Sequence, residues 1–156
     1  TALFHSHLLY CTNIISITTQ SNINRIFLLQ KKAIRIITNS THNAHTNPLF
    51  ENLGILPFPS IIRYRNLTFM HSVEYGYCNT TFATTWTKNE NRQTNYHLRN
   101  NDEFILPNVR IEQFRRIPIY SFAYQWNNLG DVKFQPNPTT FRIALEYELF
   151  ESLNES

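Results

Sequence analysis

Apolar residues along this chain mostly recur at helical spacing, interrupted by short polar stretches rich in Asn, Thr and Pro. The first apolar run, Leu3 through Ile17, fits a buried helix or a strand, and its pattern does not choose between them. Ser21-Asn22-Ile23-Asn24 then reads as a helix start, with Ser21 placed to cap the first amides. On a helical wheel Ile23, Ile26, Phe27, Ala33, Ile34 and Ile37 share an arc of roughly 120°. Arg25, Lys31, Lys32 and Arg35 lie opposite. Leu28 sits among those bases, and Leu29 and Ile36 border them, which predicts that both sides of the 21–38 helix meet a partner.

Asn39 through Thr46 is a polar loop, followed by Asn47-Pro48 as cap plus first-turn proline and by Gly54 at the left-handed exit position, which predicts a short helix over 48–53. Pro57 and Pro59 break the chain before a second amphipathic helix, 60–75, that ends near Gly76. Residues 79–95 are Thr- and Asn-rich and read as an irregular connection. Phe104-Ile105-Leu106-Pro107 and 117–122 read as extended, the second because Ile117, Ile119 and Ser121 alternate with Pro118, Tyr120 and Phe122. Tyr124 through Gly130 reads as a short helix or turn. Asn137-Pro138 repeats the cap-plus-proline device and opens a final helix to about Leu153, with Phe141, Leu145, Leu149 and Phe150 away from Glu148, Glu151 and Glu155. The expected fold is mainly α with a small extended or β segment. Its expected parts are helical residues 1–76, an irregular linker 77–95 and a small α+β segment 96–156.

Composition narrows the class. Hydrophobic residues make up 42% of the 156, aromatic residues 14% and charged residues 16%, so the chain carries too much apolar surface for disorder and is long enough for a sizeable core. No run approaches the length a membrane span needs, and no membrane partner is expected. Cys11 and Cys78 stand far apart without a Cys-x-x-Cys, which favours two reduced thiols. Asn-x-Ser/Thr sequons at Asn39, Asn66 and Asn79 arise readily in so Asn- and Thr-rich a chain. Thr1 in place of Met predicts a natural start upstream. The net charge of +3 is unevenly spread: residues 1–50 hold four bases and no acid, whereas residues 101–156 hold five bases and eight acids. A basic front and an acidic rear point to one polyanion-facing surface.

The chemistry is narrowed by what is missing. Asp occurs only at Asp102 and Asp131, so no Asp pair is present to hold two divalent metals for phosphoryl transfer. With only Gly54, Gly76 and Gly130, neither a phosphate loop nor a nucleophile elbow can be built. His5/His7 and His42/His45 with Cys11 and Cys78 form no specific metal pattern, and Glu103, Glu112 and His97 have nothing to fix an acid–base geometry. The remaining signal is cations interleaved with aromatics. Arg25, Lys31, Lys32, Arg35, Arg63, Arg65, Tyr96, Arg99, Arg115 and Arg116 are the candidate nucleic-acid-binding residues, suited to phosphate contact and base stacking. The competing reading makes them solvated faces whose stems cover apolar neighbours.

The order of pieces resembles the region after the reverse-transcriptase domain in non-LTR (LINE-like) retrotransposon polyproteins of the jockey/CR1 kind. It rests on Ser6-His7-Leu8-Leu9-Tyr10, on Ile26-Phe27-Leu28-Leu29-Gln30-Lys31-Lys32-Ala33-Ile34-Arg35-Ile36-Ile37, on His45-Thr46-Asn47-Pro48-Leu49-Phe50 and on Leu53-Gly54-Ile55-Leu56. It continues through Tyr96-His97-Leu98-Arg99, Val109-Arg110 and Trp126-Asn127-Asn128-Leu129, and so covers nearly the whole chain. Glycines usual in such relatives near Tyr96 and before Trp126 are absent. The resemblance implies a non-catalytic C-terminal part of an RNA-directed DNA polymerase. Its palm, Tyr-x-Asp-Asp signature, endonuclease and Mg2+ would lie upstream, and no cofactor is expected in this stretch. It implies a thumb-like helical part within 21–75, an RNA template or RNA–DNA hybrid and the upstream palm as partners, and an intracellular setting, in the nucleus and a cytoplasmic ribonucleoprotein. The alternatives are a free-standing or domesticated nucleic-acid-binding module and a purely structural helical domain.

Overall fold

The computed structural model describes residues 6, 9–10, 12–78, 81, 83–91 and 101–154. Seven α-helices follow one another among them: α1 Thr12–Ile15, α2 Gln20–Ile37, α3 Asn47–Leu53, α4 Phe58–Glu74, α5 Glu112–Arg115, α6 Pro118–Asn127 and α7 Pro138–Asn154. The protein is mainly α, as its periodicity predicts, and the described residues form no sheet. None of these helices is long and apolar enough to cross a membrane. The chain divides into two compact units, one of residues 1–65 with 143–156 and one of residues 66–142. Helices α4 and α7 each pass from one unit to the other along their length. The described part of 77–95 falls in the second unit, where Trp86 and Asn89 are buried.

In the first unit, α2 presents Ile23 and Ile34 to a core that also holds Phe50, Leu56, Phe58, Ile61, Ile62, Leu145 and Leu149. Ile15, Ile26 and Phe27 pack against the Ile23–Phe58–Ile62 cluster. Three polar residues, Thr12, Gln30 and Thr46, are buried in this unit. Gln30 is fully buried; its Nε2 donates to the Leu56 carbonyl at 3.0 Å and its Oε1 accepts from the Phe58 amide at 2.7 Å. This amide satisfies both backbone groups of a proline-containing strap that has no ladder partner of its own.

Aromatic rings dominate the second unit. Trp86, Phe104, Phe122, Trp126 and Phe141 are buried there with Leu67, Met70, Ala123 and Leu129. Phe69 meets the edges of Trp86 and Phe122 at 5.8 and 5.9 Å between ring centres. His71, also buried, stacks on Phe141 at 4.2 Å, and its Nε2 lies 2.8 Å from the Gln135 carbonyl oxygen. A carbonyl only accepts, so Nε2 carries the proton. Tyr75 and Tyr77 donate to the Lys133 and Pro136 carbonyls, so three side chains from the end of α4 and just beyond it hold residues 133–136.

Among the described residues one antiparallel bridge forms, Lys88 with Phe104, flanked by Ile105 N–H to Thr87 O and Asn89 N–H to Glu103 O. Asn127 completes it, because its side-chain amide both accepts from Phe104 N at 2.9 Å and donates to Phe104 O at 2.8 Å. The extended reading of Phe104 is thus realised over a very short length. The extended reading of 117–122 is not. Residues 118–127 are α6, with extended Ile117 before it and Pro118 in its first turn, where a fixed φ suits a helix and a missing N–H costs nothing. Burial at Phe122, Ala123 and Trp126 follows the helical period, so the two-residue alternation is incidental. The short helix or turn read at 124–130 is the second half of the same helix and its exit.

Two cap assignments also change. Helix α2 begins at Gln20 after Thr19, which leaves Ser21 inside the first turn. At α3 the residue before the helix is Thr46, and Asn47 directs its amide to the Leu153 carbonyl at 3.3 Å instead of capping. At α7 the cap forms as its sequence predicts, with Asn137 Oδ1 accepting from Thr139 N at 2.8 Å and Thr140 N at 3.3 Å. Gly54 (φ 60°) and Gly76 (φ 71°) take the left-handed conformation at the exits of α3 and α4.

Candidate nucleic-acid interface

The α2–loop–α3 hairpin is the best-built basic feature among the described residues. Helix α2 ends in a Schellman arrangement: Ser40 N–H bonds the Arg35 carbonyl at 2.9 Å and Asn39 N–H bonds Ile36 O at 3.2 Å, with Asn39 left-handed at φ 50°. Helix α3 ends the same way, through Ile55 to Phe50 and Gly54 to Glu51. Between them the polar loop is tied down by Arg35, whose Nε and Nη2 both donate to the Ala44 carbonyl at 3.1 and 3.0 Å. Two surface hollows open on either side of this arginine. One, about 530 Å3, is lined by Lys32, Arg35, Ile36, Asn39, Ser40 and His42. The other, about 540 Å3, is lined by Lys31, Arg35, residues 43–46, Asn47 and Pro48.

No carboxylate belongs to either lining, and none occurs anywhere in residues 1–50. Lys31 sits with its ammonium 4.2 Å from the centre of the Phe27 ring, a contact that stations the charge at the mouth of the second hollow. Lys32 is exposed. Two hollows that share an arginine, with a lysine in each wall and amide and imidazole groups around them, are suited to oxyanions.

The other predicted bases are placed differently. Arg25 is exposed on α2, a full two turns before Lys32. Arg63, on α4, pairs with Glu148 at 3.9 Å, with both side chains well exposed. Arg65 is half-buried, and its Nε is enclosed without a hydrogen-bond partner. Arg115 and Arg116 belong to the second unit, where Arg115 lies 3.7 Å from Glu112. Tyr96 and Arg99 lie outside the described residues, as do His5, His7, Cys11 and His97. Comparison with family models, curated proteins and solved structures returned no match.

Gln30 and His71 are the polar residues sequence reasoning passed over. Gln30 stands beside Lys31 in what reads as a polar run, but its wheel position, three before Ala33 and four before Ile34, is on the apolar side. Asn39, Asn43 and Asn47 likewise gain meaning only from Arg35, which bonds the loop at Ala44 and lines both hollows beside them. Among the described residues no three His, Cys, Asp or Glu side chains gather as metal ligands, and Asp102 and Asp131 are both exposed.

Proposed function

We propose that this chain is a non-catalytic C-terminal part of a retrotransposon reverse transcriptase, and that its α2–loop–α3 hairpin holds phosphates of an RNA template or RNA–DNA hybrid. The observation that carries the reading is the convergence of Lys31, Lys32 and Arg35 on two hollows in an acid-free stretch. The lysines would neutralise neighbouring phosphates and release their counterions, while Arg35 keeps the loop in place and offers its remaining N–H groups. The loop amides of Asn39 and Asn43 add sequence-independent hydrogen bonds to phosphate or ribose. Divalent metal and nucleotidyl transfer would belong to the upstream palm that the resemblance implies, in an intracellular ribonucleoprotein.

The test is a salt titration of binding to an RNA–DNA hybrid. Lys31→Glu/Lys32→Glu is the informative variant, because it leaves both Arg35 bonds to Ala44 intact. Two lost phosphate contacts should flatten the log–log salt slope by about 1.4–1.8 and weaken binding at low salt. Equal slopes and affinities for variant and wild type would remove this hairpin from the interface. The link to a polymerase is tested separately, by whether the reading frame directly upstream encodes a palm with Tyr-x-Asp-Asp.

A further inference from the structure

The outward side of α2 carries more than charge. Leu28, Leu29 and Ile36 are 56%, 62% and 79% exposed, an unusual state for three large aliphatic residues on one helix. With Arg25 and Lys32, both exposed, they fall within an arc of roughly 100° on the helical wheel, with Arg35 just beyond its Leu28 edge and Lys31 farther round. Along this stripe the order is base, apolar, base, apolar: Arg25, Leu28/Leu29, Lys32, Ile36.

Helix α7, whose residues from Ile143 on belong to the same unit, carries the counterpart. Phe141, Leu145 and Leu149 are buried, which turns Ile143 (64% exposed) and Tyr147 (66%) outward, with half-buried Phe150 beside Ile143 and the exposed Glu146 and Glu151 on the two flanks of an arc of roughly 140°. Glu148 lies outside this stripe and already meets Arg63. Read from its C-terminal end, the α7 stripe runs acid, apolar, acid, apolar: Glu151, Tyr147, Glu146, Ile143. The Glu151 carboxylate, one turn on from Tyr147, raises the phenol's pKa.

We propose that the outward stripe of α2 docks antiparallel on the outward stripe of α7 from a second copy of this chain. Arg25 then faces Glu151, the two leucines face Tyr147, Lys32 faces Glu146, and Ile36 faces Ile143. The chain carries both halves of a complementary pair, apolar to apolar and cation to carboxylate, which is what selects another copy as the occupant. The contact is heterologous: it joins different surfaces of the two molecules. It needs no nucleic acid, and because Lys32 and Ile36 also line the first hollow, docking and phosphate binding there compete.

Sedimentation velocity of the nuclease-treated 156-residue chain, over a concentration series, tests this with two charge-reversed variants. Arg25→Glu/Lys32→Glu makes both stripes acidic, and Glu146→Lys/Glu151→Lys makes both basic. All four positions are exposed, and far-ultraviolet circular dichroism checks that each variant is folded. Wild type should self-associate, and each variant alone should associate at least about tenfold more weakly. An equimolar mixture of the two variants should recover association, because acidic stripes then meet basic ones. A monomeric wild type, variants that associate as wild type does, or a mixture that fails to recover would each overturn the proposal.

Discussion

In each unit a buried polar side chain ties a long helix to an irregular strap, and the two units do so with different chemistry. In the first unit Gln30 of α2 satisfies the Leu56 carbonyl and the Phe58 amide; in the second, His71 of α4 donates to the Gln135 carbonyl. Gln30 is an uncharged, fully buried amide. His71 is an ionisable ring held among Phe141, Trp126 and two tyrosines. Similar connective work thus leaves the first strap indifferent to protons and the second responsive to them. Burial is the chief influence on His71 and lowers its pKa from the ordinary 6.5. The Gln135 carbonyl opposes that shift, the Arg142 charge reinforces it, and Glu74 opposes it.

The largest effect should come from emptying the aromatic cluster. Trp126→Ala removes a ring that meets both His71 and Phe141, and should cost about 3–5 kcal/mol in denaturant unfolding, read by near-ultraviolet circular dichroism. Gln30→Leu should cost about 2–4 kcal/mol, since it strands the Leu56 carbonyl and the Phe58 amide in a buried site. Hydrogen exchange at the Phe58 amide should rise with it; unchanged exchange would mean the strap holds without Gln30. Asn127→Ala should cost about 1–3 kcal/mol and release the Phe104 amide to exchange, while leaving Phe58 protected.

The pH dependence sharpens the comparison further. A folded-state pKa below the unfolded one means the unfolded chain binds the extra proton. The stability His71 contributes is therefore fully present above about pH 6.5 and is lost as pH falls towards its folded value, with a slope of up to about 1.4 kcal/mol per pH unit. The unfolding midpoint in urea, followed from pH 7.5 to 5.5, should fall more steeply for wild type than for His71→Gln. The Gln30→Leu variant should keep the wild-type pH profile, displaced downward. Parallel wild-type and His71→Gln profiles would assign the response to another group. Arg63→Ala should have the smallest effect, about 0.5 kcal/mol or less, because the Arg63–Glu148 pair is exposed and long.

Helices α2, α3, α4 and α7 were legible in the residues because each announces itself locally, through a 3.6-residue stripe, a proline in the first turn or a glycine at the exit. The basic set Lys31, Lys32 and Arg35 was legible for the same reason, since neighbours on one helix share a flank whatever surrounds them. Helix α6 was misread because Ile117 through Phe122 fit period two as well as period 3.6 over so short a span. Only burial of Phe122, Ala123 and Trp126 against partners distant in sequence selects the helix.

By itself, the sequence determined the mainly helical class, the acid-free basic front and the absence of paired aspartates, because these depend on composition and on interactions within a few residues. Tertiary structure alone decided that Arg35 pins a loop and thereby shapes two hollows, that Asn127 serves as the partner of an isolated bridge, and that Gln30 and His71 are core residues. Each of these is a hydrogen bond between groups from 9 to 64 positions apart. Whether such groups meet is fixed by how the helices pack and by the need to satisfy every buried backbone group, and no local pattern carries that information.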